Sequence, residues 1–167
     1  MRQEPLTMRG VSAIDTLVKE HNLVKSLLQR LRSSDAVAER QQVLKQVQHL
    51  LTIHNATEEN LIYPAINKIA GHKLEPIKLY NETAQAEMML FELDTMMKTG
   101  DLEDLDKKVG RFCDAICQHI DEEESSAFRH LRDGADPREM QLLNESFLRF
   151  RESTFGSAGE RVTTGTT

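Results

Sequence analysis

The stretch HNATEE at residues 54–59 decides the fold, and it recurs as HIDEEE at residues 119–124. In each copy a glutamate follows the histidine after four residues, as Glu58 follows His54 and Glu123 follows His119. On an α-helix, residues four apart lie on the same face, one turn from each other. Each copy therefore directs one imidazole and one carboxylate at the same point. Imidazole and carboxylate together form a ligand set suited to first-row transition metals, iron in particular.

The surroundings of the two copies repeat as well. The shift of 65 residues that relates the two motifs also pairs Tyr63 with Phe128 and Ile66 with Leu131. An internal repeat of this kind indicates a duplicated helical hairpin. Two copies that face each other across a bundle would place two histidines and two glutamates in one core.

The composition narrows the class of protein. The chain of 167 residues is long enough for one domain with a sizeable core. Its net charge of -6, without a visible basic cluster, argues against a nucleic-acid surface. Its apolar runs are too short to span a membrane, and its first residues lack the apolar region of a secretory signal. The sequence thus predicts a cytoplasmic protein that binds neither nucleic acid nor membrane.

Apolar residues at intervals of three and four predict five helices and an all-α fold. We expect an antiparallel, up-down four-helix bundle over residues 12–133, a C-terminal helix over 136–155 packed on it, and disordered tails at 1–11 and 156–167. Ser12 is the expected N-cap of the first helix and Asp35 that of the second, which should span about 36–70. Pro64 should kink the second helix or end its regular part. The third helix should begin near Pro76 and end before Gly100, and the fourth should span about 102–131.

His21 lies in the middle of the apolar stripe of the first helix, where a metal ligand would face the two motifs. The third helix should supply the facing ligand. A shift of 66 residues takes His21 to Glu87 and aligns the apolar neighbours of both. Gln85 fits that alignment less well, and Gln85, Glu82 or an open position remain the alternatives.

With these residues in place, the chain resembles the hemerythrin-like, HHE cation-binding family. That family carries H…HxxxE…H…HxxxE on a four-helix bundle that holds a non-haem di-iron centre. Short sequence features around these residues also match the family, namely EH at 20–21 before LL at 27–28, and EE at 58–59 before YP at 63–64. The resemblance covers roughly residues 12–131, and it departs from the family pattern in the third histidine, where this sequence has Glu87.

The resemblance implies a cofactor of two iron ions in an oxo- or hydroxo-bridged centre. Glu58 and Glu123 would bridge the two ions. His21 and His119 would complete one iron, and His54 and Glu87 the other. The implied metal ligands are therefore His21, His54, Glu58, Glu87, His119 and Glu123.

A carboxylate at Glu87 adds negative charge to the centre and favours ferric iron over ferrous iron. This feature argues against a reversible oxygen carrier and favours a redox protein that reacts with oxygen, hydrogen peroxide or nitric oxide. A peroxidase-like or catalase-like activity would follow. A non-catalytic oxygen or iron sensor, an iron storage module and a bare helical interaction module are the alternatives. We expect a monomer or a homodimer.

Overall fold

The computed structural model describes residues 11–71 and 74–156, and every regular element in those ranges is helical. Helix α1 is Ala13–Ser33, α3 is Leu74–Thr99 and α5 is Pro137–Phe155. Helix α2 spans 37–70 and helix α4 spans 105–134, each as consecutive α and π segments. In α2 the α segments are Val37–Thr57 and Tyr63–Ala65, and the π segments are Glu58–Ile62 and Ile66–Ala70. In α4 the α segments are Leu105–Glu122 and Phe128–Gly134, and the π segment is Glu123–Ala127.

Two helices begin with a side-chain cap, and the first of these caps is the Ser12 that the sequence predicts. The Ser12 side chain accepts a hydrogen bond from the backbone N–H of Asp15 at the start of α1. Asp136 and Glu139 form a reciprocal capping box at the start of α5, with Pro137 in the first turn. Each cap satisfies backbone N–H groups that have no acceptor inside the helix.

Two predicted boundaries are wrong by a few residues, whereas the third helix spans Leu74–Thr99 with Pro76 in its first turn, as predicted. The N-cap of α2 is Ala36 rather than Asp35. Helix α4 begins at Leu105 rather than near 102, because Asp104 before it adopts a left-handed conformation with φ of 59°. A left-handed residue cannot continue a right-handed helix, so the polar residues before it form a turn.

Of the three π segments in the described helices, two begin at the glutamates of the HxxxE motifs, Glu58 and Glu123. The backbone N–H of Tyr63 donates to the carbonyl of Glu58, five residues earlier, and the N–H of Phe128 donates in the same way to Glu123. In α2 this arrangement removes the usual donor from the carbonyl of Glu59. The next residue, Pro64, has no N–H to replace it. The Glu59 carbonyl instead accepts a hydrogen bond of 2.7 Å from the hydroxyl of Tyr80 on α3.

The four long helices form a four-helix bundle, with α1 against α2 and α4, and α3 against the same two helices. The buried apolar side chains form two clusters. The first contains Val24, Leu28, Leu90 and Phe112, and the second contains Leu17, Ile66, Phe128 and Phe147. His21 lies on α1 between Leu17 of the second cluster and Val24 of the first, so a polar layer separates the two apolar ones.

Helix α5 covers the second apolar cluster. Leu143 and Phe147 are buried in it, and Met140 and Leu148 pack against it. The side-chain oxygen of Asn144 accepts a hydrogen bond of 2.9 Å from the backbone N–H of Ala13 and so ties α5 to the start of α1. Apart from Val11 and Gly156, the two tails predicted to be disordered lie outside the described residues.

Candidate metal centre

The polar layer holds a compact cluster of potential metal ligands. One nitrogen or oxygen atom from each of His21, His54, Glu58 and Glu123 lies within 4.8 Å of the others, and all four residues are buried. Helix α1 supplies the first of them, α2 the next two and α4 the last. The structure thus brings together four of the six residues that the sequence predicts as ligands.

The contacts inside the cluster join imidazole Nε2 atoms to carboxylate oxygens. His54 Nε2 lies 3.2 Å from Glu58 Oε1, within one motif. His21 Nε2 lies 3.3 Å from Glu123 Oε2 and 4.0 Å from Glu58 Oε1. His119 Nε2, from the second motif, lies 3.3 Å from Glu123 Oε1. A fifth predicted ligand therefore adjoins the four-residue cluster.

The outward nitrogen of every imidazole contacts a carboxylate. His21 Nδ1 lies 2.8 Å from Glu124, His54 Nδ1 lies 2.8 Å from Glu20, and His119 Nδ1 lies 2.9 Å from Glu82. Metal-binding histidines commonly donate their second N–H to a carboxylate, which fixes the ring orientation and the tautomer. The sequence analysis predicted this role for none of the three, and it named only Glu82 among them, as an alternative ligand from the third helix. Each of them lies on a different helix from the histidine that it contacts, so no local sequence pattern could have identified them.

This arrangement calls for a cation at the inner nitrogens. When each Nδ1–H donates to its carboxylate, a neutral imidazole carries a lone pair on Nε2. His21 Nε2 and His54 Nε2 lie 3.0 Å apart, so two lone pairs would face each other unless a proton or a metal ion lies between them. Two buried carboxylate oxygens in the same layer, Glu58 Oε1 and Glu123 Oε2, have no hydrogen-bond donor in the described part of the chain. The residues present therefore fit a metal ion.

In the metal-free chain, protons take the place of that cation. Burial alone would lower the pKa of His54, but the carboxylates of Glu58 and Glu20 outweigh burial and raise it to about 10. The pKa of His119 is likewise raised to about 9, because Glu123 and Glu82 outweigh burial. Burial would raise the pKa of Glu123, yet the adjacent imidazoles of His119 and His21 hold it well below the usual range.

Tyr63 is a site residue that the sequence analysis used only as a mark of the repeat and of the family resemblance. Its hydroxyl donates a hydrogen bond of 2.6 Å to Glu123 Oε1 and lies 3.4 Å from Glu58 Oε2. Phe128 occupies the equivalent position in the second copy, where its ring stacks on His21 with centroids 5.6 Å apart. The duplicated site is thus asymmetric, since one copy adds a phenol and the other adds an apolar ring.

Arg151 of α5 reaches the site from outside the bundle, and the sequence analysis did not identify it. It forms a bidentate ion pair with Glu20. Its Nε–H donates a hydrogen bond of 3.0 Å to Thr57 Oγ1, and its guanidinium lies over the ring of Phe147. Its side chain is only 3% exposed and that of Glu20 only 1%. Burial would raise the pKa of Glu20, but Arg151 and His54 hold that pKa below its ordinary value.

The structure places Glu87 outside this cluster. Its side chain is exposed and lines a groove of about 190 Å³ between α2 and α3. The buried residues of α1 recur in α3 after 62 residues rather than 66, and that shift places Thr83 opposite His21. A difference of four residues is about one helical turn, so an apolar stripe alone hardly distinguishes the two alignments. Glu87 as a ligand stays a prediction, and its exposed position does not favour it.

A small cavity lies beside the three imidazoles, where the third helix has no long side chain. Its volume is about 10 Å³, roughly one water molecule. Thr83 and Ala86 of α3 line it, together with Leu51 and Asn55 of α2. Leu51, Asn55 and Ala86 also line the larger groove, so these three side chains separate the cavity from the surface.

The sequence profile of the hemerythrin HHE cation binding domain matches residues 12–131 of this chain. The chain belongs to the hemerythrin HHE cation-binding family. A crystal structure of an HHE domain-containing protein from Mycobacterium kansasii has the same fold, with a TM-score of 0.70 at 20% identity, over 92% of this chain and 99% of that one. This family assignment confirms the predicted fold, and the His and Glu cluster is its candidate cation site.

A curated relative is a DNA nickase from Nostoc sp., which is 23% identical over 133 residues, or 80% of this HHE chain. The chain spans only 37% of that relative. Within the described residues, none of the helices is long and apolar enough to cross a membrane.

Proposed function

We propose that this HHE domain holds a non-haem di-iron centre that reacts with oxygen, hydrogen peroxide or nitric oxide. The observation that carries the proposal is the set of three imidazoles, each held by a carboxylate at Nδ1 and directed by Nε2 at the buried oxygens of Glu58 and Glu123. Neutral imidazole combined with carboxylate suits iron better than calcium or magnesium, which prefer oxygen ligands alone.

Within this proposal, Glu58 and Glu123 lie centrally enough to serve two ions. His54 would bind beside Glu58, and His21 and His119 beside the two oxygens of Glu123. Iron would supply a centre that exchanges electrons with a bound small molecule. The chain itself orients the imidazoles through Glu20, Glu82 and Glu124, and it holds a proton on the Tyr63 hydroxyl next to Glu123.

The small cavity beside the imidazoles supports a diatomic or similarly small reactant. Three of its walls are apolar side chains, Val24, Ile116 and Ile120, and Thr83 adds one hydroxyl. The cavity has room for about one water molecule, so a larger organic substrate cannot approach the imidazoles from this side. This size selectivity favours oxygen, peroxide or nitric oxide.

The test begins with iron content. Protein produced with iron supplied should bind two irons per chain, absorb in the near ultraviolet, and consume hydrogen peroxide. Glu58→Ala should lose iron, because it removes a carboxylate shared by the cluster. His49→Ala is the matched control, since His49 is an exposed histidine on the same helix. A folded, iron-supplied protein without metal would contradict the proposal.

An iron or oxygen sensor, or a storage module, is the second candidate. The burial of the cluster favours it, because a nearly closed site binds a metal without offering much access to a substrate. A protein that binds two irons but leaves peroxide unchanged would support this reading. The nicking activity named for the Nostoc protein does not carry over to this chain, because the matched region is a minor part of that longer protein.

A further inference from the structure

Helix α3 carries exposed apolar side chains on the side that faces away from the bundle. In the described part of the chain, Ile77, Met88 and Phe91 are the most exposed large apolar residues, at 58%, 73% and 71%. Single exposed apolar residues are ordinary on a protein surface, whereas a row of them along one helix indicates an interaction surface.

The residues along the middle of this outer side follow one another at alternating intervals of four and three. Positions with this spacing form the contact seam between two helices in a coiled coil. We call this row the outer stripe, and its members, all exposed, are Ile77, Asn81, Ala84, Met88, Phe91 and Thr95. From residue 77 to residue 95 the stripe is about 27 Å long.

We propose that the outer stripe binds the outer stripe of a second copy of this chain, with the two α3 helices antiparallel. The contact presents the same surface on both sides of a two-fold axis, as in most homodimers. The described chain begins with α1, diagonally across the bundle from α3, and ends with α5, which packs on α1 and α2. These positions favour a second copy over the chain's own ends as the occupant of the stripe.

The charges beside the stripe favour the antiparallel direction. Lys78, Gln85 and Glu92 form one exposed flank of the stripe, at intervals of seven residues. When the two-fold axis passes at Gln85, Lys78 of each copy faces Glu92 of the other, because both lie seven residues from the axis. A parallel pair would instead bring Glu87 against Glu92 of the second copy, and like charges at such flanking positions disfavour pairing.

Both flanking charges are already oriented by α4. Lys78 pairs with Glu122, and Glu92 pairs with Lys108 at 2.6 Å. An ammonium has three donors and a carboxylate has about four acceptor sites, so each group can take a further partner across the interface. Two rows of alternating charge, each running Glu122, Lys78, Glu92, Lys108, would therefore cross the dimer. Networks of this kind contribute more than isolated surface pairs.

The size of the contact makes the dimer a reversible one. A stable interface covers about 800 Å² on each partner, and one pair of helices covers less than that. We therefore expect monomer and dimer to exchange with protein concentration. The inference does not depend on the metal, since none of the residues of the stripe belongs to the His and Glu cluster.

The experiment follows the full chain by sedimentation velocity from about 1 μM to about 1 mM, a range that covers weak complexes. The wild type should pass from monomer to dimer. Phe91→Glu places a charge in the stripe and should weaken the dimer by at least about tenfold, with little change in melting temperature because the position is exposed. Leu142→Glu, at an exposed apolar position on α5, is the matched control and should dimerise as the wild type does.

A charge exchange tests the alignment. Lys78→Glu and Glu92→Lys should each weaken the dimer, and the double variant should recover most of it, because both cross-contacts return with their signs reversed. On the other flank, Glu87 of each copy lies beside the axis, so Glu87→Gln should strengthen the dimer by removing a repulsion. Melting temperatures of the same variants separate effects on the fold from effects on the dimer.

A wild type that stays monomeric over the whole range would overturn the proposal. A dimer that Phe91→Glu leaves intact would also overturn it, because another surface would then hold the two copies. A double variant that dimerises no better than the single ones would overturn the antiparallel alignment.

Discussion

Arg151 on the last helix neutralises Glu20 on the first, and Glu20 in turn accepts the Nδ1 hydrogen bond of His54. This chain of contacts joins a helix outside the four-helix bundle to a candidate metal ligand inside it. The guanidinium is fixed further by Thr57, one residue before Glu58. Helix α5 is therefore part of the architecture of the site.

Replacing Arg151 should destabilise the fold and weaken metal binding together. Arg151→Met leaves Glu20 charged and buried without its partner, which costs about 3–5 kcal/mol in comparable buried pairs. The free energy of unfolding, from urea titration, and the iron affinity measure the two effects. Arg149→Met, at an exposed position on the same helix, should change the unfolding free energy by less than about 0.5 kcal/mol. Equal stability of the two variants would contradict the role of Arg151.

The carboxylate behind His119 should tune the metal without binding it. Glu82→Gln removes the negative partner of Nδ1, and losses of this kind typically weaken metal affinity by about 10- to 100-fold. Competition with a chelator measures the affinity. Glu92→Gln is the control, because Glu92 lies on α3 like Glu82 but is exposed and pairs with Lys108 of α4. If the two variants bind iron alike, Glu82 does not orient the imidazole.

The metal-free and iron-loaded proteins should respond to pH in opposite directions. In the metal-free chain, the raised pKa values of His54, about 10, and His119, about 9, stabilise the fold fully below their usual value of 6.5. That contribution is lost as the pH rises toward 9–10, since the unfolded chain has already released those protons. The lowered pKa of Glu123 contributes above its usual 4.5 and is lost as the pH falls.

Iron binding needs unprotonated imidazoles, so the affinity for iron should increase over the same alkaline range. Melting temperatures from pH 6 to pH 9.5, with and without ferrous iron under anaerobic conditions, measure the difference. Bound iron should raise the melting temperature more at the upper end. Parallel curves would show that protons and metal do not compete for the same nitrogens.

The third helix offers a test between two alignments. If Thr83 faces His21, Thr83→His should add an imidazole to the centre and change its absorption spectrum, and Glu87→Ala should leave the iron content unchanged. If Glu87 is a ligand, Glu87→Ala should instead lower the iron content, and Glu87→His should raise the reduction potential. Iron analysis and redox titration of the three variants decide between them.

The fold and most of the site follow from local patterns in the sequence. The HxxxE spacing placed His54, Glu58, His119 and Glu123 on inward helix faces, and the apolar stripe placed His21 with them. The sequence did not predict the outer residues. Arg151 is 131 residues away from Glu20, and no local period links positions so far apart. The π turns were missed for a similar reason, because a helical stripe tolerates one additional residue without losing its apolar pattern.

The π turns have a consequence for how the two long helices can vary. Each π turn at a motif adds one residue to the helix and so rotates the positions of the side chains that follow it. The residues before the turn and those after it therefore face different parts of the core. In α2, His54 and Glu58 are aligned to the polar layer, and Ile66 beyond the turn is aligned to the cluster that α5 covers. The packing of the distal half can therefore be adjusted without rotating the imidazoles, which leaves the metal chemistry and the choice of the covering helix free to change separately.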